Sequence, residues 1–126
     1  MNRDIKTLQI ALGNSWNKDT CYPPMENEWS SENPAYGQCY CTTLLVNDYF
    51  KGKILKTKFK NETGHFWNLI NNKEVDLSRS QFDKDEFIPT TTIHSRKEIE
   101  NNPKYKEYNR RYLVLKKRVE EFLKKY

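Results

Sequence analysis

The arrangement of this chain is decided by residues 33–50, which read NPAYGQCYCTTLLVNDYF. The Asn33-Pro34 pair and Gly37 break regular structure, and apolar residues recur at helical spacing after Cys39. The pattern predicts a turn followed by a buried helix that begins at Cys39. At a helix N-terminus, the helix dipole and unpaired backbone N–H groups favour the thiolate form of a cysteine. Cys39 is therefore either a nucleophile or, as free cysteines often are, a small buried apolar side chain.

Length and composition indicate one folded domain over residues 1–126. Charged residues make up 31% of the chain, but three Trp, eight Tyr and six Phe can bury a large area, which favours a packed core over disorder. Residues 1–12 carry charged side chains and no long apolar run. We therefore expect no signal peptide, no membrane association and a cytoplasmic location.

Three cysteines are an odd number for a chain without an export signal, so we expect reduced thiols rather than a disulfide framework. Cys39 and Cys41, with Cys21 and His65, lack the paired spacing that is typical of zinc sites. We therefore expect no metal and no other cofactor.

Two regions precede and follow the central helix. Residues 4–12 predict a short helix that ends at Gly13, and residues 14–36, rich in proline and polar residues, predict a long ordered loop. This loop is either the wall of a cleft or an irregular cover over the core. After the central helix, residues 53–60 alternate in polarity and predict a half-exposed strand.

A hairpin is predicted next, with strands at 65–70 and 74–77 joined by Asn71-Asn72, because Asn tolerates positive φ. The result is an antiparallel sheet behind one helix. Residues 83–103 predict an irregular connection with one further strand at 87–93. His94 has no evident partner and is expected at the surface.

The net charge of +5 is concentrated in the last helix, predicted over residues 104–126, where nine basic and three acidic side chains leave +6. Its aromatic and apolar residues step by three and four, which predicts either packing on the same domain or a seam for a dimer or partner protein. The basic outer face is then a solvated surface, and nucleic-acid binding is a lesser alternative. The seam comprises Tyr105, Tyr108, Tyr112, Leu115, Val119, Phe122 and Tyr126.

Cys39, His65 and Asp76 form the constellation that carries the expected chemistry. A nucleophilic cysteine needs a base within hydrogen-bond reach, and the base needs an acceptor on its other ring nitrogen. In the predicted hairpin Ser78 lies opposite His65, so Asp76 is diagonal to His65 on the same face and within reach of its side chain. Asn68 lies on the opposite face. Asp76 is therefore the predicted partner of His65.

Several motifs together resemble a known group of proteins. They are Ser15-Trp16, Trp29-Ser30 and residues 32–35, 37–39, 65–68, 75–82 and 111–112. Their Cys-His-Asp order resembles the papain-like and transglutaminase-like superfamily, and more closely the YunG-like family of small bacterial proteins, over most of the chain. The resemblance implies an α+β fold with a papain-like/transglutaminase-like core: a central N-terminal helix packed on a small antiparallel sheet, with a long C-terminal helix.

The resemblance implies this fold and a Cys-His-Asp triad, and the three residues Cys39, His65 and Asp76 together predict a cysteine-dependent acyl-transfer enzyme of the amidase, deamidase or peptidase type. Cys39 would attack an amide, ester or thioester, including one carried on a protein, while His65 transfers protons and Asp76 fixes the imidazole tautomer. The backbone N–H of Cys39 and one side-chain amide would hold the oxyanion. The predicted oxyanion and support residues are Asn33, Gln38 and Gln81, and the predicted cleft-lining residues are Trp29, Trp67 and Asn68.

The competing hypothesis is a binding module without catalysis. In that case the helix and hairpin are only a scaffold, and the Tyr-rich basic C-terminal helix recognises a protein or, less favourably, nucleic acid. The protein would be a monomer or a dimer through that helix.

Overall fold

The computed structural model describes residues 4–58, 64–78 and 91–126. Four α-helices and four strands alternate with short 3₁₀ turns in these ranges. The helices are α1 (Ile5–Gly13), α2 (Cys39–Phe50), α3 (Arg96–Glu100) and α4 (Lys106–Lys125), the strands are β1 (Lys53–Lys58), β2 (Gly64–Ile70), β3 (Lys73–Val75) and β4 (Thr91–His94), and the turns are Lys18–Thr20, Pro23–Glu28 and Pro103–Tyr105.

The strands form one antiparallel sheet in the order β3-β2-β1-β4, which confirms the α+β class and the sheet behind a central helix. The β2–β3 hairpin turns at Asn71 and Asn72, whose φ angles are +50° and +64°. These are the left-handed values that a two-residue hairpin turn requires and that Asn tolerates. The predicted turn is therefore confirmed, and the register of the hairpin follows from it.

Helix α2 lies between the sheet and α4, and its first nine residues are all buried. It is fixed to β2 by the Asn68 side chain, whose Nδ2 donates to the Thr43 carbonyl at 3.0 Å. Phe66 of β2 packs edge-on against Tyr40 at 5.3 Å between ring centroids. The prediction of a buried helix beginning at Cys39 is confirmed.

The prediction that β1 is half-exposed is wrong, because Ile54, Leu55 and Thr57 are all buried although they alternate in direction. Strand β1 lies between β2 and β4, in the middle of the sheet, where both faces are covered. The charge of Lys56 indicates an exposed face in the sequence. In the structure its Nζ donates to the Tyr105 hydroxyl at 2.7 Å and lies over that ring, so its alkyl stem is covered. Residues 59 and 60 of the predicted strand lie outside the described residues.

The irregular connection predicted over residues 83–103 is wrong for residues 94 and 96–100, because β4 extends to residue 94 and residues 96–100 form α3. A capping box begins α3: the Ser95 side chain accepts from the Glu98 backbone N–H, and the Glu98 side chain accepts in return from the Ser95 N–H. His94 has partners after all, because its ring nitrogens contact Thr92 Oγ1 at 2.8 Å and Glu98 Oε2 at 3.1 Å. The predicted strand at 87–93 overlaps β4 only at 91–93, and the rest lies outside the described residues.

Helix α4 packs on its own chain, through Tyr112, Leu115 and Val119, which are buried in the same cluster as α2. Two of its arginines fasten the 14–36 loop. Arg111 donates to the Cys21 carbonyl at 2.9 Å and to Glu26 at 2.7 Å, and Arg118 pairs with Asp19. Part of the C-terminal positive charge therefore serves internal contacts.

Across the three described ranges, every helix is too short or too polar to span a lipid bilayer.

Gly52 and Gly13 offer a matched test of this backbone. Gly52 has φ +88°, and an added Cβ would lie 2.2 Å from the Leu69 carbonyl oxygen, whereas nothing lies within 4 Å of an added Cβ at Gly13. We predict that Gly52→Ala lowers the free energy of unfolding by about 2–3 kcal/mol through strain and backbone overlap. Gly13→Ala should leave it unchanged or raise it by up to about 1 kcal/mol. Urea denaturation checks both values, and equal midpoints for the two variants would contradict the β1–β2 geometry.

Candidate active site

The N-terminus of α2 is held in place by the residue before Cys39. The Gln38 side chain is fully buried; its Oε1 accepts from Thr20 Oγ1 at 2.7 Å and its Nε2 donates to the Asn17 carbonyl at 2.9 Å. It therefore does not cap the helix, whose first hydrogen bond runs from Thr42 N–H to the Gln38 carbonyl. The N–H of Cys39, at the first helical position, is one of the N–H groups that have no partner within the helix.

Gly37 fixes the approach of the loop to Cys39. Its φ is +70°, its carbonyl accepts from Tyr22 N–H at 2.7 Å, and a Cβ at this position would lie 2.4 Å from Cys21 Sγ. Because only glycine fits both the conformation and the space, the turn that precedes the thiol is closely defined. Cys39 itself is 9% exposed.

The structure brings His65 and Asp76 together, as the hairpin register predicts. The distance from His65 Nε2 to Asp76 Oδ2 is 2.6 Å, the His65 side chain is fully buried and that of Asp76 is 14% exposed. The second carboxylate oxygen, Oδ1, accepts from the Ser78 hydroxyl at 3.3 Å. Asn68, on the opposite face, is used by α2 and does not orient His65.

Cys39 also acts on the His65 ring. Burial alone would lower the pKa of His65, but the hydrogen bond that the ring donates to Asp76 and the interaction with Cys39, together with electrostatic attraction by both groups, outweigh burial and raise this pKa to about 9. The raised pKa favours the imidazolium form of His65 at neutral pH, next to the Asp76 carboxylate.

The other two thiols have different surroundings. Burial raises the pKa of Cys21 to about 11, although the Arg111 charge partly opposes the rise. Burial also raises the pKa of Cys41, whose sulfur lies 3.5 Å from the Thr20 carbonyl oxygen. Of the three cysteines, Cys39 is the one that has an imidazole beside it, and none of the three forms a disulfide.

Of the three predicted cleft-lining residues, Trp67 lies beside His65, whereas Asn68 and Trp29 make other contacts. Trp67 is 4% exposed and stacks on His65, with ring centroids 5.4 Å apart and an angle of 19° between the planes. Its Nε1 donates to Glu74 Oε1 at 2.7 Å. Asn68 serves the α2 contact, and Trp29 is half-buried in the loop, where its Nε1 donates to the Pro34 carbonyl at 3.0 Å.

The predicted oxyanion residues are placed as follows. Both polar ends of the Gln38 amide are bonded to the loop, so the structure gives this side chain a supporting role. Asn33 forms a turn through its backbone, and within the described ranges no hydrogen bond joins its side chain to Cys39. Gln81 lies outside the described residues.

Glu74 and Ser78 are the site residues that sequence reasoning missed. A signal for Glu74 was present in the hairpin: Glu74 is diagonal to Trp67 with the same offset that relates Asp76 to His65. The carboxylates of Glu74 and Asp76 thus bond the rings of Trp67 and His65, respectively.

Among the described residues, no group of three or more His, Cys, Asp or Glu side chains is arranged to hold a metal ion.

Comparisons with known proteins give a family and one described relative. A family model described as "YunG protein" matches residues 4–124. The curated "Uncharacterized protein YunG" of Bacillus subtilis (strain 168) is 37% identical over 78 residues, which cover 62% of this chain and 63% of the relative. The chain thus spans less than two thirds of that relative. No solved structure matches the chain.

The charge on His65 gives a direct test of the site. We predict that NMR titration shows the His65 ring releasing its proton with a midpoint of about pH 9, and that Asp76→Asn lowers this midpoint because the carboxylate no longer favours the imidazolium. His94, the second of the two histidines, serves as the control and should titrate alike in both proteins. A wild-type midpoint for His65 at or below the ordinary value of about 6.5 would contradict this geometry.

Proposed function

The chain belongs to the YunG family, and we propose that it is a cysteine-dependent acyl-transfer enzyme built on a papain-like/transglutaminase-like core. The observation that carries the proposal is the buried His65–Asp76 bond of 2.6 Å, with the Cys39 thiol at the start of a helix also acting on the His65 ring. A nucleophile, a base within reach and an acceptor that orients the base are the three parts of such a centre. Neither Cys21 nor Cys41 has them.

In the acylation step the Cys39 thiolate attacks the carbonyl carbon of an amide, ester or thioester. A carbon–sulfur bond forms, and the carbonyl π electrons move to the oxygen. When the carbon–oxygen double bond re-forms, the leaving amine, alcohol or thiol departs with its bonding electrons and takes the proton from His65 Nδ1. The products are an acyl-cysteine and a neutral imidazole.

In the deacylation step the neutral His65 removes a proton from water or from an amine that attacks the thioester. The carbon–sulfur bond breaks, the electrons return to Cys39, and the thiolate–imidazolium pair is restored. Asp76 holds the ring with Nε2 protonated throughout, so that Nδ1 is the nitrogen that exchanges the proton.

The oxyanion is held by the Cys39 N–H at the first position of α2, where the helix dipole adds to the stabilisation. The substrate is an amide, ester or thioester, free or carried on a protein. Free thiols suit a reducing compartment, in keeping with the cytoplasmic location expected from the sequence.

The first prediction concerns the rate of iodoacetamide modification at each cysteine, followed against pH by peptide mass mapping. We expect Cys39 to react fast at about pH 6, and His65→Ala to slow it about tenfold or more, because the imidazolium stabilises the thiolate. Cys21 and Cys41 are internal controls, since burial raises the pKa of both thiols and they should stay unreactive in the folded protein.

If Cys39 reacts no faster than Cys21 in the folded wild type, the enzyme proposal fails. The non-catalytic binding module, with its Tyr-rich basic α4, is then the better account.

The second prediction concerns the acyl-enzyme itself. With p-nitrophenyl acetate at neutral pH, we expect an acetyl group on Cys39 by mass spectrometry and steady release of p-nitrophenolate. Cys39→Ala should abolish both. In contrast, Cys21→Ala, which leaves Cys39 and His65 in place, should keep the acetylated peptide. Acetyl groups distributed over surface lysines with none on Cys39 would contradict the proposal.

A further inference from the structure

We infer that Glu74 is a positioning residue that acts through the indole of Trp67 to keep the His65 ring charged and oriented toward Cys39. The inference rests on the proposed function, because it assigns a further residue to the same centre. It starts from the bond between Trp67 Nε1 and Glu74 Oε1, which the acyl-transfer mechanism leaves unexplained.

The indole of Trp67 is placed so that it can act on His65. The two rings are nearly parallel, at 19°, and their centroids are 5.4 Å apart. Both side chains are buried, so water does not separate them. The face of an indole is electron-rich and attracts a cation, and the attraction is stronger when the pair is desolvated. Trp67 therefore stabilises the imidazolium more than the neutral imidazole.

Glu74 fixes this indole and strengthens its effect. A hydrogen bond to a carboxylate is short and strong, and here it is 2.7 Å, so it restrains the rotation of the indole over His65. The negative charge at Nε1 also polarises the ring toward a more electron-rich face. Both effects favour the charged form of His65.

Two titratable groups act directly on His65, and both favour its charged form. Asp76, just after β3, bonds Nε2, and Cys39 of α2 also raises the pKa of the ring. Glu74 of β3 acts from behind Trp67, while β1 contributes the uncharged Thr57 opposite His65. The loss of Glu74 therefore weakens the charged state without removing the two direct partners.

Glu74 suits a charge-based role more than a packing role. Its side chain lies at the surface of β3, a strand of three residues. Replacement by Gln keeps an oxygen acceptor for Trp67 Nε1 but removes the charge, and replacement by Ala removes both. An exposed position of this kind permits both variants to fold.

The test measures Cys39 alkylation by iodoacetamide against pH, together with the NMR titration of His65, in wild type and in Glu74→Gln and Glu74→Ala. We expect each variant to alkylate about threefold more slowly on the acidic side of the pH profile, where the thiolate is only partly formed, and the His65 midpoint to fall by about half a pH unit. Glu120→Gln is the matched control, because it makes the same charge change at an exposed position on α4 and should alter neither quantity.

Three outcomes overturn the inference. In the first, both Glu74 variants keep the wild-type alkylation profile while His65→Ala abolishes it, so the triad stands without Glu74. In the second, alkylation slows but the His65 midpoint does not move, so the role of Glu74 is merely structural. In the third, Glu120→Gln shifts both quantities as far as Glu74→Gln does. A wild type in which Cys39 has no preferential reactivity refutes the proposed function and this inference with it.

Discussion

The hydrogen bond between His65 and Asp76 is the interaction on which the site depends. It joins the two strands of one hairpin diagonally, and it exists only in one register. A slip of one residue would turn Asp76 to the other face of the sheet. The two left-handed asparagines at the turn exclude such a slip, so a local preference at Asn71 and Asn72 determines the chemistry of a ring six residues away.

The position of Cys39, the other part of the site, depends on a different set of contacts. Cys39 begins a helix that is buried on all sides, and the loop leading to it is fastened by Gln38 at one point and by Arg111 of the last helix at another. The C-terminal helix thus supports the loop that leads to Cys39. Arginines of this helix bond to residues of the loop, so part of the net charge of +5 is used in contacts within the protein.

Much of this arrangement follows from sequence because it is local. Helix α2, the hairpin turn and the diagonal His65–Asp76 pair each depend on residues within a short span, where periodicity and turn chemistry are informative. The errors concern longer-range contacts or very short elements: α3 has five residues, and Lys56 is covered by Tyr105, 49 positions later in the chain. Its position next to Cys39 makes Gln38 a candidate oxyanion donor in the sequence. Its bonds to Asn17 and Thr20, about 20 positions earlier in the chain, are not predictable, because no sequence pattern relates these residues.

In the proposed enzyme, Cys39 and His65 form a thiolate–imidazolium pair in the resting protein. Thiolates absorb in the ultraviolet where thiols do not, so the most direct measurement compares this absorbance in wild type, Cys39→Ser and His65→Ala. If the pair forms, we expect one thiolate per wild-type molecule at about pH 6 and none in either variant. A wild-type absorbance that rises only above about pH 8.5, as for an ordinary thiol, and does so equally in His65→Ala, would contradict it.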